Sequence, residues 1–209
     1  MTTIDVSYRL TGTTVPLDHS YPLYSALSHL IPDLHEAKWL GIHPIGGVRR
    51  VGKTLELTPH SSLQLRLPLD KLSHLRRLAN SRFALNPGHP IKLDGAPTVR
   101  FLTPASTMSA RQVMFRVEGF SMEPNQLPQD VHLDDNFLVA ANRQLRNLGI
   151  VGRLHLRGLR RLTVKGLTLI AYSVDCSGLS AEHSLLLQER GLGGKRRMGC
   201  GLFRPKRSR

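Results

Sequence analysis

Cysteine is scarce: the 209 residues hold two, Cys176 and Cys200. Two distant thiols cannot form a CxxC pair or a cysteine zinc cluster, so no structural metal is expected; no cofactor is expected either. Aromatic residues are also few, at 5% of the chain. That argues against an RNA-binding sheet that works by stacking bases on its strands, and no RNP-type run is present. Long apolar runs are missing as well, so no membrane-spanning helix is expected. The opening segment has no secretory core, because Ile4, Val6, Tyr8 and Leu10 alternate with polar residues. A reducing, cytoplasmic location is the expectation.

Acidic residues are the last shortage. Fifteen Asp and Glu face 29 Lys and Arg, giving a net charge of +14. A surplus of that size favours a polyanionic partner, with nucleic acid ahead of membrane. The bias is local. Residues 143–165 hold six arginines, one lysine and no acid; residues 190–209 hold eight basic residues and no acid. The plain alternative is a solvated basic surface.

The order of elements repeats. "TIDVSYRL" has the period of a strand. In "PLYSALSHLI", Leu23, Ala26, Leu27, Leu30 and Ile31 follow the spacing of an amphipathic helix, with Pro22 near its start. Pro32 kinks that helix or begins a second short one. "LGIHPI", "KTLELT" and "SLQLRLPL" read as strands. "DKLSHLRRLAN" reads as a helix with Leu72, Leu75 and Leu78 inward, and short extended pieces follow to Phe101. "LTPASTMSA" is the expected linker. The second half starts with a strand in "RQVMFRVEGF". A helix follows in "DDNFLVAANRQLRNLG", then two strands joined at Lys165-Gly166. "SAEHSLLLQER" is a helix between Ser180 and Gly191, and "MGCGLF" is a last strand. Both halves therefore read strand–helix–strand–strand–helix–strand. The fold class expected is α+β with two tandem ferredoxin-like domains, at residues 1–101 and 109–209.

Two features bear on chemistry. Arg143, Arg146, Arg153, Arg157, Arg160 and Arg161 offer planar forks to phosphate or to a guanine edge. The glycine-rich stretch "GLGGKRRMGCGLF" sets Gly193 and Gly194 beside Lys195, Arg196 and Arg197. Glycine lets backbone N–H groups converge on an anion, so this loop is a second candidate RNA contact. It lacks the spacing of a Walker loop. Cys200 within it is expected to be a small buried side chain.

"GLGGKRRMGCGLF", following "SGLSAEHSLLLQE", resembles the carboxy-terminal glycine-rich signature of the CRISPR-associated precursor-RNA endoribonucleases. "DHSYPLYSALSHLIPDLHEAKWLGIHPI" is similar to their early segment, and closest to the subgroup named after myxobacterial-type systems. The resemblance spans both halves. It implies two ferredoxin-like domains and binding of CRISPR repeat RNA. It also implies a metal-independent cut by the 2′-hydroxyl, leaving a 2′,3′-cyclic phosphate and a 5′-hydroxyl. Association with subunits of a CRISPR effector complex is a further implication.

That reaction calls for a general acid or base and for a cation near phosphorus. Histidine suits the first role, and the family typically carries one in or just after the first helix. His35 in "DLHEAKW", His29 on the polar side of the helix and His43 before Pro44 compete for it. The other seven histidines, His74 and His132 among them, are expected to be plain surface or packed residues. Tyr24, Tyr21 and Lys38 are candidates for support, though Tyr24 equally fits a packed position and Lys38 a solvated charge. A non-catalytic guide-RNA-binding subunit is the alternative from another class. A ribosome-associated basic protein is a third.

Overall fold

Alternation carries the first strand. In a computed structural model of the chain, which describes residues 2–49, 52–115 and 133–206, β1 runs Thr3–Gly12. Its inward side chains Ile4, Val6, Tyr8 and Leu10 are each at most 3% exposed. The chain divides into two units: Met1–Phe101 with Arg197–Gly199, and Leu102–Arg196 with Cys200–Arg209. It is a mixed α+β protein. Among the described residues no helix is long and apolar enough to cross a membrane.

In the first unit β1 is followed by β2 (Thr14–Pro16), α1 (Ser20–Leu30), β3 (Gly41–Ile42), β4 (Val48–Arg49) and β5 (Thr54–Glu56). Then come β6 (Ser62–Pro68), β7 (Arg82–Ala84) and β8 (Pro90–Phe101). Short 3-10 helices occupy Pro32–His35 and Leu69–Leu78. The main sheet runs β3–β6–β1–β8–β7 with antiparallel neighbours, and β2, β5 and β4 form a small second sheet. Helix α1 buries Leu23, Tyr24 and Leu27 against this core. It starts two residues before Pro22. Ile31 then turns extended, and Pro32 opens the 3-10 turn rather than kinking α1.

Two expectations need correction here. "DKLSHLRRLAN" is not α-helical. Leu69, Leu72, Leu75 and Leu78 recur every third residue, the period of a 3-10 helix, and Leu75 and Leu78 are fully buried. The Tyr8 hydroxyl donates to the Leu75 carbonyl at 3.1 Å, which ties this helix to β1. The stretch before Phe101 is a twelve-residue strand, not short pieces. Its pairing with β1 shifts register between Ser7 and Arg9. The extra residues there include Gly95, at φ 66°, and Pro97, so the strand continues past both.

In the second unit β9 (Thr107–Val113), α2 (Leu133–Asn147), β10 (Arg153–Val164), β11 (Leu167–Ser177), α3 (Ala181–Arg190) and β12 (Arg204–Pro205) follow one another. Strand β9 begins inside the stretch read as linker. The part of "RQVMFRVEGF" from Arg116 onward lies outside the described residues, as does His132. Helix α2 buries Phe137, Ala141 and Leu145. Strands β10 and β11 meet at Lys165 (φ 50°) and Gly166 (φ 81°), the paired positive angles of a type I′ hairpin turn. The Ser180 side chain caps α3 by accepting from the His183 amide, and the Gly191 amide closes its far end on Leu187. The sheet order is β10–β11–β9–β12. Counting only the strands that alternate with helices, both large sheets run second, third, first, fourth.

"MGCGLF" is not a strand. Arg196–Met198 is a 3-10 turn, and Gly199 and Gly201 sit at φ 78° and 70°, angles a strand does not adopt. The last strand is Arg204–Pro205, paired with Ser109 and Met108.

Candidate active site

The 3-10 turn after α1 brings a histidine back onto the helix. Pro32 starts the turn and Leu34, 1% exposed, pins it to the core. His35, the next residue, is left with its side chain 65% exposed. Its ring stacks on that of Tyr24 from α1, with centroids 5.8 Å apart and planes 26° from parallel. The Tyr24 hydroxyl lies 3.0 Å from His35 Nδ1 and 3.1 Å from the His35 carbonyl oxygen. A carbonyl only accepts, so the hydroxyl donates to it. Toward Nδ1 the hydroxyl then acts as acceptor. In the tautomer with the ring proton on Nδ1, Nε2, 3.7 Å from the exposed Glu36 Oε1, can take another.

A cation completes the group. Arg197, in the segment that belongs to the first unit, holds its guanidinium 5.3 Å from the Tyr24 ring centroid. Its Nη1 donates to the Tyr24 hydroxyl at 3.5 Å. A packed tyrosine thus links Nδ1 of the His35 ring to a fixed positive charge. Tyr21 stands one step away, its ring 6.3 Å from that of Tyr24.

The competing histidines go elsewhere. His29 is exposed, and its Nδ1 donates to the Ser25 carbonyl one turn back at 2.7 Å. It lines a groove of about 440 Å³ with Tyr21, Ser25 and Phe83. His43 is 2% exposed, with Nε2 3.7 Å from Asp5 Oδ1. A ring so enclosed cannot reach a bound strand, so its candidacy is corrected. Asp5 also accepts from Arg66 Nε and Nη2, each at 2.8 Å, and from Gln64 at 2.9 Å. Burial pushes the Asp5 carboxyl up, but the bonds from Arg66 and His43 outweigh it and hold it well below the usual carboxylate range. This centre is structural, and nothing in the local sequence announced it. Lys38 is exposed and has no hydrogen bond or ion pair among the described residues.

The glycine-rich loop is built differently from the expectation. The Gly193 amide donates to Gln144 Oε1 at 2.7 Å and the Gly194 amide to the Met114 carbonyl at 2.9 Å. Those N–H groups are engaged within their own unit, so they do not form an anion cradle. A Cβ on Gly193 would collide with the Met114 carbonyl, and one on Gly201 with that of Leu192. The glycines permit backbone segments to touch. Lys195 is exposed and Arg196 half-buried, with Arg196 donating to the Arg190 carbonyl. Burial pushes the Cys176 thiol up to about 11 and the Cys200 thiol up to about 12, the latter against the pull of Lys195, so both stay protonated.

The six arginines of the second unit are all exposed, but on separate surfaces. Arg143 and Arg146 lie on α2. Arg153 pairs with Ser177 and Arg160 with Ala171, whereas Arg161 pairs with Ile170. Adjacent residues of a strand face opposite ways, so Arg160 and Arg161 diverge. Arg157 sits at the register shift before Gly158, 3.5 Å from Asp175, which also binds Lys206 at 2.6 Å. Among the described residues no group of three or more His, Cys, Asp or Glu could hold a metal ion.

The family model of Cas6, a CRISPR-associated family, matches residues 4–208. The chain belongs to the Cas6 family. It is 35% identical over 98% of its length to the CRISPR-associated endonuclease Cas6 of Myxococcus xanthus (strain DK1622), covering 82% of that protein. Two solved structures share the fold. One is the product of a Cas6-related gene from Pyrococcus furiosus, with a TM-score of 0.65 and 17% identity over 97% of this chain and 98% of that one. The other is Cse3 from Thermus thermophilus bound to an RNA representing a pre-cleavage complex, with a TM-score of 0.52 and 14% identity over 97% and 98%. Cas6 membership places the Tyr24–His35–Arg197 group in a family whose curated relative is an endonuclease.

Proposed function

We propose that this Cas6 family member is a metal-independent endoribonuclease that binds CRISPR repeat RNA and cuts the precursor transcript within each repeat. Two tandem ferredoxin-like domains, supported by the shared strand order of the two sheets, form its body. The observation that carries the reading is the Tyr24–His35 pair with Arg197 beside it. His35 Nε2 takes the proton of the 2′-hydroxyl. The freed O2′ attacks phosphorus, the bond from phosphorus to the 5′-oxygen breaks, and that oxygen takes a proton from water. A 2′,3′-cyclic phosphate and a 5′-hydroxyl remain. Tyr24 orients the ring, and Arg197 offsets the charge that builds on the phosphoryl oxygens. The exposed arginines of α2 and β10, with Lys195, hold the RNA by its phosphates in the reducing cytoplasm.

The test is cleavage of a repeat RNA in excess chelator. Wild type should cut once per repeat. His35→Ala should slow the single-turnover rate by about 10²- to 10⁴-fold while binding stays within twofold. Uncut RNA with tight binding by wild type would favour a guide-RNA-holding subunit of an effector complex. Full activity in His35→Ala would remove His35 from the mechanism, leaving His29 as the exposed alternative.

A further inference from the structure

A second basic feature of the first unit lies against the same turn that carries His35. The Pro32–His35 and Leu69–Leu78 helices border a groove of about 530 Å³, with Ile31, Pro32 and Asp33 on one side and His74, Arg76 and Arg77 on the other. The 3-10 geometry sets the pattern. With three residues per turn, side chains at i and i+3 eclipse. With Leu75 and Leu78 buried and Leu72 packed against the core in the inward row, His74 and Arg77 form one outward column and Ser73 and Arg76 the other. Successive members of a column are separated by about 6 Å along the axis, from a rise of roughly 2 Å per residue. His74, Arg76 and Arg77 are exposed.

The charge is unanswered. Arg76 and Arg77 have no ion pair among the described residues, whereas Lys71 on the same helix pairs with Asp70 at 3.4 Å. His74 is fixed instead. Its ring contacts that of Trp39 at 5.5 Å, and its Nδ1 lies 3.9 Å from Asp33 in the facing turn. A groove with a fixed ring and two unpaired guanidinium groups suits a chain of phosphates rather than an apolar peptide.

We propose that this groove is a second RNA subsite, in which Arg76 and Arg77 hold phosphates of the single-stranded segment flanking the bond cut at His35. The inference rests on the endoribonuclease reading above. The groove shares the Pro32–His35 turn with the catalytic histidine, so a strand lying in it is anchored close to the reacting phosphate. Part of the substrate's position is then set by the first unit itself.

Binding of a repeat RNA with a 2′-deoxy at the cleaved position tests this, because the RNA is held but not cut. The same RNA trimmed on one or the other side of the cleaved bond supplies the control. The Arg76→Ala/Arg77→Ala double variant should lose about tenfold in affinity for the untrimmed RNA. Its log–log salt slope should flatten by about 1.4, from two single-strand phosphate contacts at roughly 0.7 each. The loss should vanish with one of the trimmed RNAs. Arg76→Lys/Arg77→Lys should retain most of the salt slope, which separates charge from misfolding. Wild-type affinity in the double alanine variant overturns the proposal and leaves the endoribonuclease reading standing; that result is also expected if the groove takes an acidic protein segment. An equal loss on all three RNAs overturns it too. If wild type binds none of them, both readings fall together.

Discussion

Two arginine-containing centres of the first unit use the same residue types in opposite ways. Arg66 is 1% exposed and bonded twice to Asp5, with His43 on the other side of the carboxylate. Arg197 lies over the Tyr24 ring beside His35, whose side chain is mostly exposed. In the first centre positive charge is neutralised by protein and serves the fold. In the second an aromatic face holds the guanidinium without cancelling its charge, which keeps it available to an anion. Availability, more than the number of cations, marks the surface fit for RNA.

Removing the buried guanidinium should have the larger effect. Arg66→Ala leaves the Asp5 carboxylate enclosed with Gln64 and the His43 ring as its remaining neighbours. Breaking a buried pair on one side typically costs about 3–5 kcal/mol. The denaturation midpoint in urea should fall accordingly, with no change in cleavage rate per folded molecule. A loss under about 1 kcal/mol would mean that the two centres differ less than their burial indicates.

The site end of the comparison is sharpened by Tyr24→Phe. The ring stays and the hydroxyl goes, so the His35 ring loses its bond at Nδ1 and the His35 carbonyl its donor. A hydrogen bond of this kind is worth on the order of 1.5 kcal/mol, or roughly tenfold in rate. The single-turnover rate should drop by that factor while binding holds. Tyr24→Phe should have no further effect in a His35→Ala background, because the hydroxyl acts through the ring. Additive losses would show that Tyr24 has a role of its own.

Much of this fold is legible along the chain because it is local. The alternation of Ile4, Val6, Tyr8 and Leu10, the apolar stripe of α1 and the Lys165-Gly166 turn each report on their own neighbourhood. The leucine row from Leu69 to Leu78 was legible as a helix facing the core, but a spacing of three suits an α-helical face and a 3-10 helix alike, so the helix type was not. His35 and Tyr24 were readable as residue types, but their contact depends on how the Pro32 turn folds back. Arg66 could not be found in this way. It stands between two core leucines as any outward strand residue would, and its partner lies 61 positions away, opposite it on β1. The glycine-rich loop misled for a related reason. Glycine permits an anion cradle and close backbone packing equally, and only the partners of the Gly193 and Gly194 amides tell them apart.

Acid gives the smallest and most graded test of the buried centre. Burial alone would raise the Asp5 carboxyl, but Arg66 and His43 hold it below the ordinary range. A carboxylate depressed in the folded state contributes stability that is present above its unfolded value, near pH 3.9. That contribution is lost as pH falls from there toward the folded value. The slope from this one group cannot exceed about 1.4 kcal/mol per pH unit. Asp5→Asn should therefore be less stable than wild type at pH 7, yet flatter below pH 4, so the two urea midpoints converge as acid is added. Arg66→Ala should also be flatter, because without the guanidinium the main force depressing Asp5 is gone. Parallel curves for all three proteins would place the acid sensitivity elsewhere, with Asp175, held low by Lys206 and Ser109 against its own burial, the next carboxylate to test.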